Sequence, residues 1–157
     1  MAQKTSWNGA ALTETDINTY LMGEGGAWTT WTPTITQGGG VTCTVTRASQ
    51  ARYGRTIVAT AFLTVTGTGT AGSLVTLSLP VTAAYGTGVI GSGAISDLSA
   101  ARTYPGLASL ESTTSFSFLG TSTVSVDIRL GIATSAFTVA LANTDQISFT
   151  ITYEAAS

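Results

Sequence analysis

Residues 147–153 read Ile147-Ser148-Phe149-Thr150-Ile151-Thr152-Tyr153. Large apolar side chains take every second position, and small hydroxyl side chains lie between them. A period of two is that of an extended strand. Strict alternation marks an antiparallel sheet with one buried face.

The pattern recurs upstream. Val124, Val126, Ile128 and Leu130 oppose Thr123, Ser125, Asp127 and Arg129. Ile57, Ala59, Ala61, Leu63 and Val65 form another apolar face, with Val58 and Phe62 making its back partly apolar. The expected core therefore includes Ile57, Leu63, Val124, Val126, Ile128, Phe149 and Ile151. Shorter strand candidates are 31–36, 41–47, 74–79, 89–95, 107–111, 115–118 and 137–141. Turn residues punctuate them: Gly38-Gly39-Gly40, Gly54, 67–72, 80–88, Tyr104-Pro105-Gly106, Gly120 and Asn143-Thr144-Asp145. Many short strands so spaced argue for a sandwich, jelly roll or barrel. The expectation is an all-β chain, an antiparallel β-sandwich or jelly-roll-like domain over residues 27–157 with a short helical arm before it.

That arm is residues 1–26. Thr13 suits a helix N-cap, and Glu14 and Asp16 fall in the first turn, where the helix dipole favours acids. Ile17, Tyr20 and Leu21 then share one face. Gly23 ends the helix, and Gly25-Gly26 makes a hinge. A helix this short is marginal alone. It must dock on its own domain, on a sister subunit or on a larger particle. Trp7, Ile17, Tyr20 and Leu21 are the expected anchor residues.

Composition narrows the function. Only 9% of the 157 residues are charged and the net charge is −2, whereas about a quarter is usual. Six cations, Lys4, Arg47, Arg52, Arg55, Arg102 and Arg129, form no basic block of the kind that neutralises phosphates, so no nucleic acid is expected as a partner. Arg47, Arg52 and Arg55 read as a solvated strand end. No apolar run approaches the length of a membrane helix, so no membrane insertion is expected. Met1 to Trp7 lacks the pattern of a secretory leader, so release by lysis is the expected route out of a cell. The lone Cys43 reads as a small buried hydrophobe between Val41 and Val45.

Catalysis is not expected. The chain has no His, which removes the commonest general base and neutral metal ligand. Gly86-Thr87-Gly88-Val89-Ile90-Gly91 spells a dinucleotide motif but does not lie between a strand and a helix. Glu14, Asp16, Glu24, Asp97, Glu111, Asp127, Asp145 and Glu154 show no spacing that suggests the facing pair of a glycosidase. Asp145 and its neighbours lack an EF-hand pattern. No cofactor or metal is expected. Aromatics are the remaining route to binding. Trp28, Trp31, Tyr85 and Tyr104 lie near loops or strand ends, where they either stack on sugars and anchor interfaces or plug the ends of a sandwich.

Several short segments carry a resemblance. Trp7-Asn8-Gly9, Leu12-Thr13 and 16–21 are followed by Trp28-Thr29-Thr30-Trp31-Thr32-Pro33, then Arg52-Tyr53-Gly54-Arg55-Thr56, Ser78-Leu79-Pro80 and Thr152-Tyr153-Glu154-Ala155. Taken in order, they resemble the minor tail and fibre-type proteins of actinobacterial phages. The spacing between Tyr53 and Arg55 is shorter than in that pattern. The resemblance implies a virion surface protein with a β-sandwich head, often trimeric, with no catalytic residues, on either the tail or the capsid. The expected partners are thus further copies in a homotrimer, other virion proteins and a host cell-surface glycan. A carbohydrate-binding module using the exposed aromatics is the alternative.

Overall fold

The computed structural model describes residues 27–120 and 139–157. The arm with Trp7, Ile17, Tyr20 and Leu21 lies outside them, as does the strand expected to carry Val124, Val126 and Ile128. The described residues hold nine strands: β1 (Thr29–Thr30), β2 (Ile35–Thr36), β3 (Cys43–Tyr53), β4 (Thr56–Val65), β5 (Thr76–Ser78), β6 (Gly88–Asp97), β7 (Arg102–Leu110), β8 (Ser115–Gly120) and β9 (Gln146–Glu154). They form one sheet in the order β1-β3-β4-β9-β6-β7-β8-β5-β2. Every pairing is antiparallel. The all-β, antiparallel expectation holds for the described residues.

The two outermost strands of that order are neighbours in sequence. Thr29 and Thr30 pair with Gln50 and Ser49 of β3, while Ile35 and Thr36 pair with Leu77 and Thr76 of β5. The stretch expected as one strand over 31–36 is instead split. Its ends are paired on opposite sides, and 31–34 carry the chain across. Thr34 is already held by Ser78, donating its N–H to Oγ at 2.9 Å and accepting the Ser78 N–H at 3.0 Å. Nine strands laid flat would span about 38 Å at the usual spacing. Five residue steps from Thr30 to Ile35 reach at most about 18 Å. The sheet must therefore roll until its two edges meet on one run of chain. Strand directions then alternate all the way round.

The core fills the roll. Phe149 of β9 and Phe116 of β8 lie three strands apart in the ladder, yet their ring centroids are 5.0 Å apart, edge to face. Phe118 lies 5.8 Å from Phe116, and Trp31 lies 6.3 Å from Phe149. Ile57, Leu63, Phe149 and Ile151 are buried as expected, among Leu77, Ile95, Leu141 and Ile147. Two glycines let β6 lie close to its neighbour. A side chain at Gly93 would come within 2.5 Å of the Phe118 ring, and one at Gly91 within 2.8 Å of the Ile151 Cα.

Tyr104-Pro105-Gly106 is not a turn but the middle of β7. Pro105 faces Ala94 of β6, and Gly106 faces both Gly93 of β6 and Gly120 of β8. The real reversal is Leu98-Ser99-Ala100-Ala101, which contains neither Gly nor Pro. Asp97 makes it: its Oδ1 accepts the Ser99 hydroxyl at 2.7 Å and the Ala100 N–H at 2.9 Å. Ala101 takes the left-handed φ of 53° that closes the turn. By contrast, Asn143-Thr144-Asp145 is a turn as read, with Thr144 at φ 79°.

Two buried polar side chains lace one end of the roll. Gln37 is fully buried. Its Nε2 donates to the carbonyls of Ser73 (3.2 Å) and Val139 (2.9 Å), and its Oε1 accepts the Leu141 N–H at 2.8 Å. Gly69 must lack a side chain because the Gln37 carboxamide occupies that space. Asp145 accepts the N–H groups of Leu98 and Ala142 at 3.1 and 2.8 Å. At the opposite end Tyr153 donates its hydroxyl to the Val81 carbonyl at 2.7 Å and accepts the Val81 N–H at 3.2 Å. Burial pushes its pKa up to about 12.

Gln37→Ala would leave two carbonyls and one N–H without their partner. Each orphaned buried group costs about 1–3 kcal/mol, so a loss of roughly 3 kcal/mol is expected in a urea or thermal melt. A variant within 0.5 kcal/mol of the parent, an error-sized change of about that order, would show that this lacing contributes little.

Acid sensitivity follows from Asp97. The Ser99 hydroxyl, then the Ala100 N–H, hold its carboxyl below the usual carboxylate range, against the opposing effect of burial. The folded value lies below the unfolded one, so the ionised group stabilises the fold above about pH 4, and that contribution fades as pH falls through the carboxylate range. Asp97→Ala should lower the melting temperature at neutral pH and converge on the parent in acid. A constant difference between the two across that range would refute this role.

Candidate functional site

Two surfaces of the roll present chemistry outward. The first lies on the outer face of β3, β4, β9 and β6. Its residues are aligned by register: Arg47 faces Phe62, Phe62 faces Ser148, and Ser148 faces Ala94. In the next row Ser49, Thr60, Thr150 and Ser92 follow one another across the strands.

Arg47 reaches this face through a β-bulge. Val45 opposes Leu63 on the buried side, and the register slips between Val45 and Arg47. Strict alternation from Val41, Cys43 and Val45 would have aimed residue 47 into the core. The extra residue, Thr46, turns Arg47 outward and gives the inner position to Ala48, which is buried. The hydrophobic pattern thus survives a charge that it would otherwise have had to bury.

A shallow groove of about 350 Å³ opens here, lined by Arg47, Thr60, Phe62, Ser92, Ala94, Ser148 and Thr150. Phe62 is half-buried and stands on the outer face, while Phe149, which also borders the groove, is buried in the core. Thr60 donates its hydroxyl to the Phe149 carbonyl at 3.1 Å, and the Thr150 hydroxyl lies 3.5 Å from that of Thr60. The Ser92 and Ser148 hydroxyls make no hydrogen bond among the described residues, and Arg47 makes neither a hydrogen bond nor an ion pair there.

The second surface is the end of the roll away from Gln37. There the β3–β4 turn, the close of β9 and the start of β6 come together. It carries Trp28, Tyr53, Tyr85 and Val89, which are 54%, 51%, 66% and 58% exposed. The four aromatics singled out in the sequence divide evenly. Trp28 and Tyr85 project into solvent, whereas Trp31 and Tyr104 pack against the core. The Trp31 indole N–H is buried without a partner among the described residues. Tyr53 and Val89 escaped the sequence reading. The signal for Tyr53 was its place directly before the Gly54 turn, where a strand has left the sheet interior. Nothing in the sequence marks Val89.

The arrangement is suited to binding. Each described carboxylate is engaged: Asp97 and Asp145 by turn N–H groups, Glu111 by the Ser117 hydroxyl, and Glu154 by Arg55 at 3.2 Å. The Arg55–Glu154 pair is half-exposed on both sides, where such pairs are worth little. Burial raises the Cys43 thiol pKa, which disfavours a nucleophilic thiolate. Gly86 to Gly91 leads into β6 and not into a helix, so it presents no helix N-terminus to a phosphate. Among the described residues no group of three or more metal-ligating side chains converges. Comparison with protein-family models, with curated proteins and with solved structures finds no match to the chain.

Proposed function

We propose that this chain is a non-catalytic structural protein exposed on the surface of a bacteriophage particle. In this reading it is a homotrimer, fixed to other virion proteins by residues 1–26, with the β domain projecting outward. It would serve as a tail or fibre-type host-contact component or as capsid decoration. The rolled sheet would work as a flattened, jelly-roll-like sandwich, its two halves facing each other across the phenylalanine cluster.

The observation that carries this reading is the exposed apolar end. Three aromatics and a valine, each at least half exposed, lie toward the same end of the sheet in a chain with 9% charged residues. Tyr and Trp supply large contact area at low entropic cost, and they anchor interfaces more than other residues do. Sparse charge gives a free monomer little protection against association. The order of short segments shared with phage tail and fibre-type proteins supports the phage assignment.

A carbohydrate-binding module is the second reading. The same exposed Trp28, Tyr53 and Tyr85, and the groove around Phe62, favour it, because aromatic faces stack on sugar rings.

Light scattering of the full chain should give three times the 15.9 kDa chain mass. The chain without residues 1–26 should keep a cooperative melt and lose co-sedimentation with the particle. Scattering at 15.9 kDa, or a truncated chain that still joins the particle, would overturn the assembly reading.

The double variant Trp28→Ala, Tyr85→Ala should melt within about 0.5 kcal/mol of the parent, as exposed substitutions do. It should weaken assembly or attachment about tenfold or more, as losing an interface anchor does. Unchanged attachment would remove this end from the interface.

A further inference from the structure

We propose that the outer groove around Phe62 is a binding site for an acidic saccharide, a sugar ring stacked on Phe62 with its carboxylate paired to Arg47. The proposal deepens the glycan-binding reading and rests on it.

Three features of the groove converge on that ligand. The first is a cation with no partner among the described residues. The bulge at Thr46 turns Arg47 outward, and it has no ion-pair partner among the described residues. Within the described domain Asp97, Asp145, Glu111 and Glu154 each bond other groups, and none of them faces Arg47. A guanidinium binds a carboxylate through two parallel N–H donors, a geometry that fits the planar carboxylate of a sugar acid.

The second is the neighbour of that cation. Phe62 stands directly across from Arg47 in the β3–β4 register. Side chains so paired have Cβ atoms about 5 Å apart. A ligand reaching both must therefore present an apolar face and an anion within one ring's width. A pyranose bearing a carboxylate has its C–H face and its acid group at that separation.

The third is the hydroxyl floor. Ser92 and Ser148 have hydroxyls that bond nothing else among the described residues, and Thr150 is only loosely held by Thr60. Such groups both donate and accept, as sugar hydroxyls require. A volume of about 350 Å³ lies near the small end of ligand clefts and suits one or two sugar rings.

Competing anions fit less well. One arginine cannot hold a nucleic-acid backbone, which needs several cations along its length. An acidic peptide in extended form would need a free strand edge to pair with. β4, β9 and β6 are hydrogen-bonded on both sides, and β3 is covered by β1 at Ser49 and Gln50, which leaves an extended peptide only the short edge beside Arg47.

The test is calorimetric titration of the full chain with short oligosaccharides ending in glucuronate, galacturonate or sialate, beside their neutral counterparts. At least one acidic member should bind, at least tenfold more tightly than its neutral counterpart, with affinity falling as salt rises. Arg47→Gln should abolish that preference, and Phe62→Ala should weaken binding at least tenfold. Phe62→Tyr should retain it, and all three variants should melt like the parent. Equal binding of acidic and neutral sugars, lost in Phe62→Ala, would overturn the acid specificity and leave a glycan site. Binding lost in Trp28→Ala or Tyr85→Ala but not in the groove variants would overturn the groove and move the glycan to the end of the roll. No binding by any member would overturn the proposal together with the glycan reading.

Discussion

Everything in this fold depends on the run 29–36 serving two sheet edges at once. Its first residues pair with two residues of β3 and its last with two of β5, so one run of chain ties both ends of the ladder and keeps the sheet curled. Open edges invite pairing with other chains, and rolling a sheet shut is one of the few ways to abolish them. The closure also brings the inner faces of distant strands together, and so the phenylalanines of β8 and β9 meet ring to ring. The surface itself is poor in charge and carries exposed aromatics.

Much of the sheet was legible because period two is a strong signal wherever one face is buried. β4 and β9 have the cleanest alternation, and they pair with each other over nine residues with no bulge. The places where the sequence misled have physical causes. Tyr104-Pro105-Gly106 reads as a turn because Pro and Gly are turn formers, yet the pairing of β7 with β6 runs straight through it. The 98–101 turn is silent because an aspartate side chain, not a glycine, organises it. The split of 31–36 between two partners is a tertiary event, and no local pattern encodes it.

The candidate site was less legible than the fold. Trp28 and Tyr85 were found by their nearness to loops, but the same rule gathered Trp31 and Tyr104, which the core absorbs. Phe62 was noticed only as an irregularity on the back of an apolar strand. Arg47 was read as part of a solvated strand end, and its pairing with Phe62 depends on one inserted residue. A bulge shifts every later side chain to the other face, and sequence alone rarely reveals where the shift falls.

The position of β9 governs when this protein can fold. It is the last strand in sequence, yet it lies in the middle of the ladder between β4 and β6. Until it leaves the ribosome, β4 and β6 lack their common partner and the Phe149 side of the core is empty. The lacing of Gln37 to Leu141 spans 104 residues and must wait as well. Contacts so distant in sequence make folding slow, on a scale of about milliseconds to seconds. Chains cut short by even one strand at the C-terminus would remain open sheets, sticky at both edges and exposed to proteases. The topology thus makes closure wait for β9, however much of the chain before it has been translated.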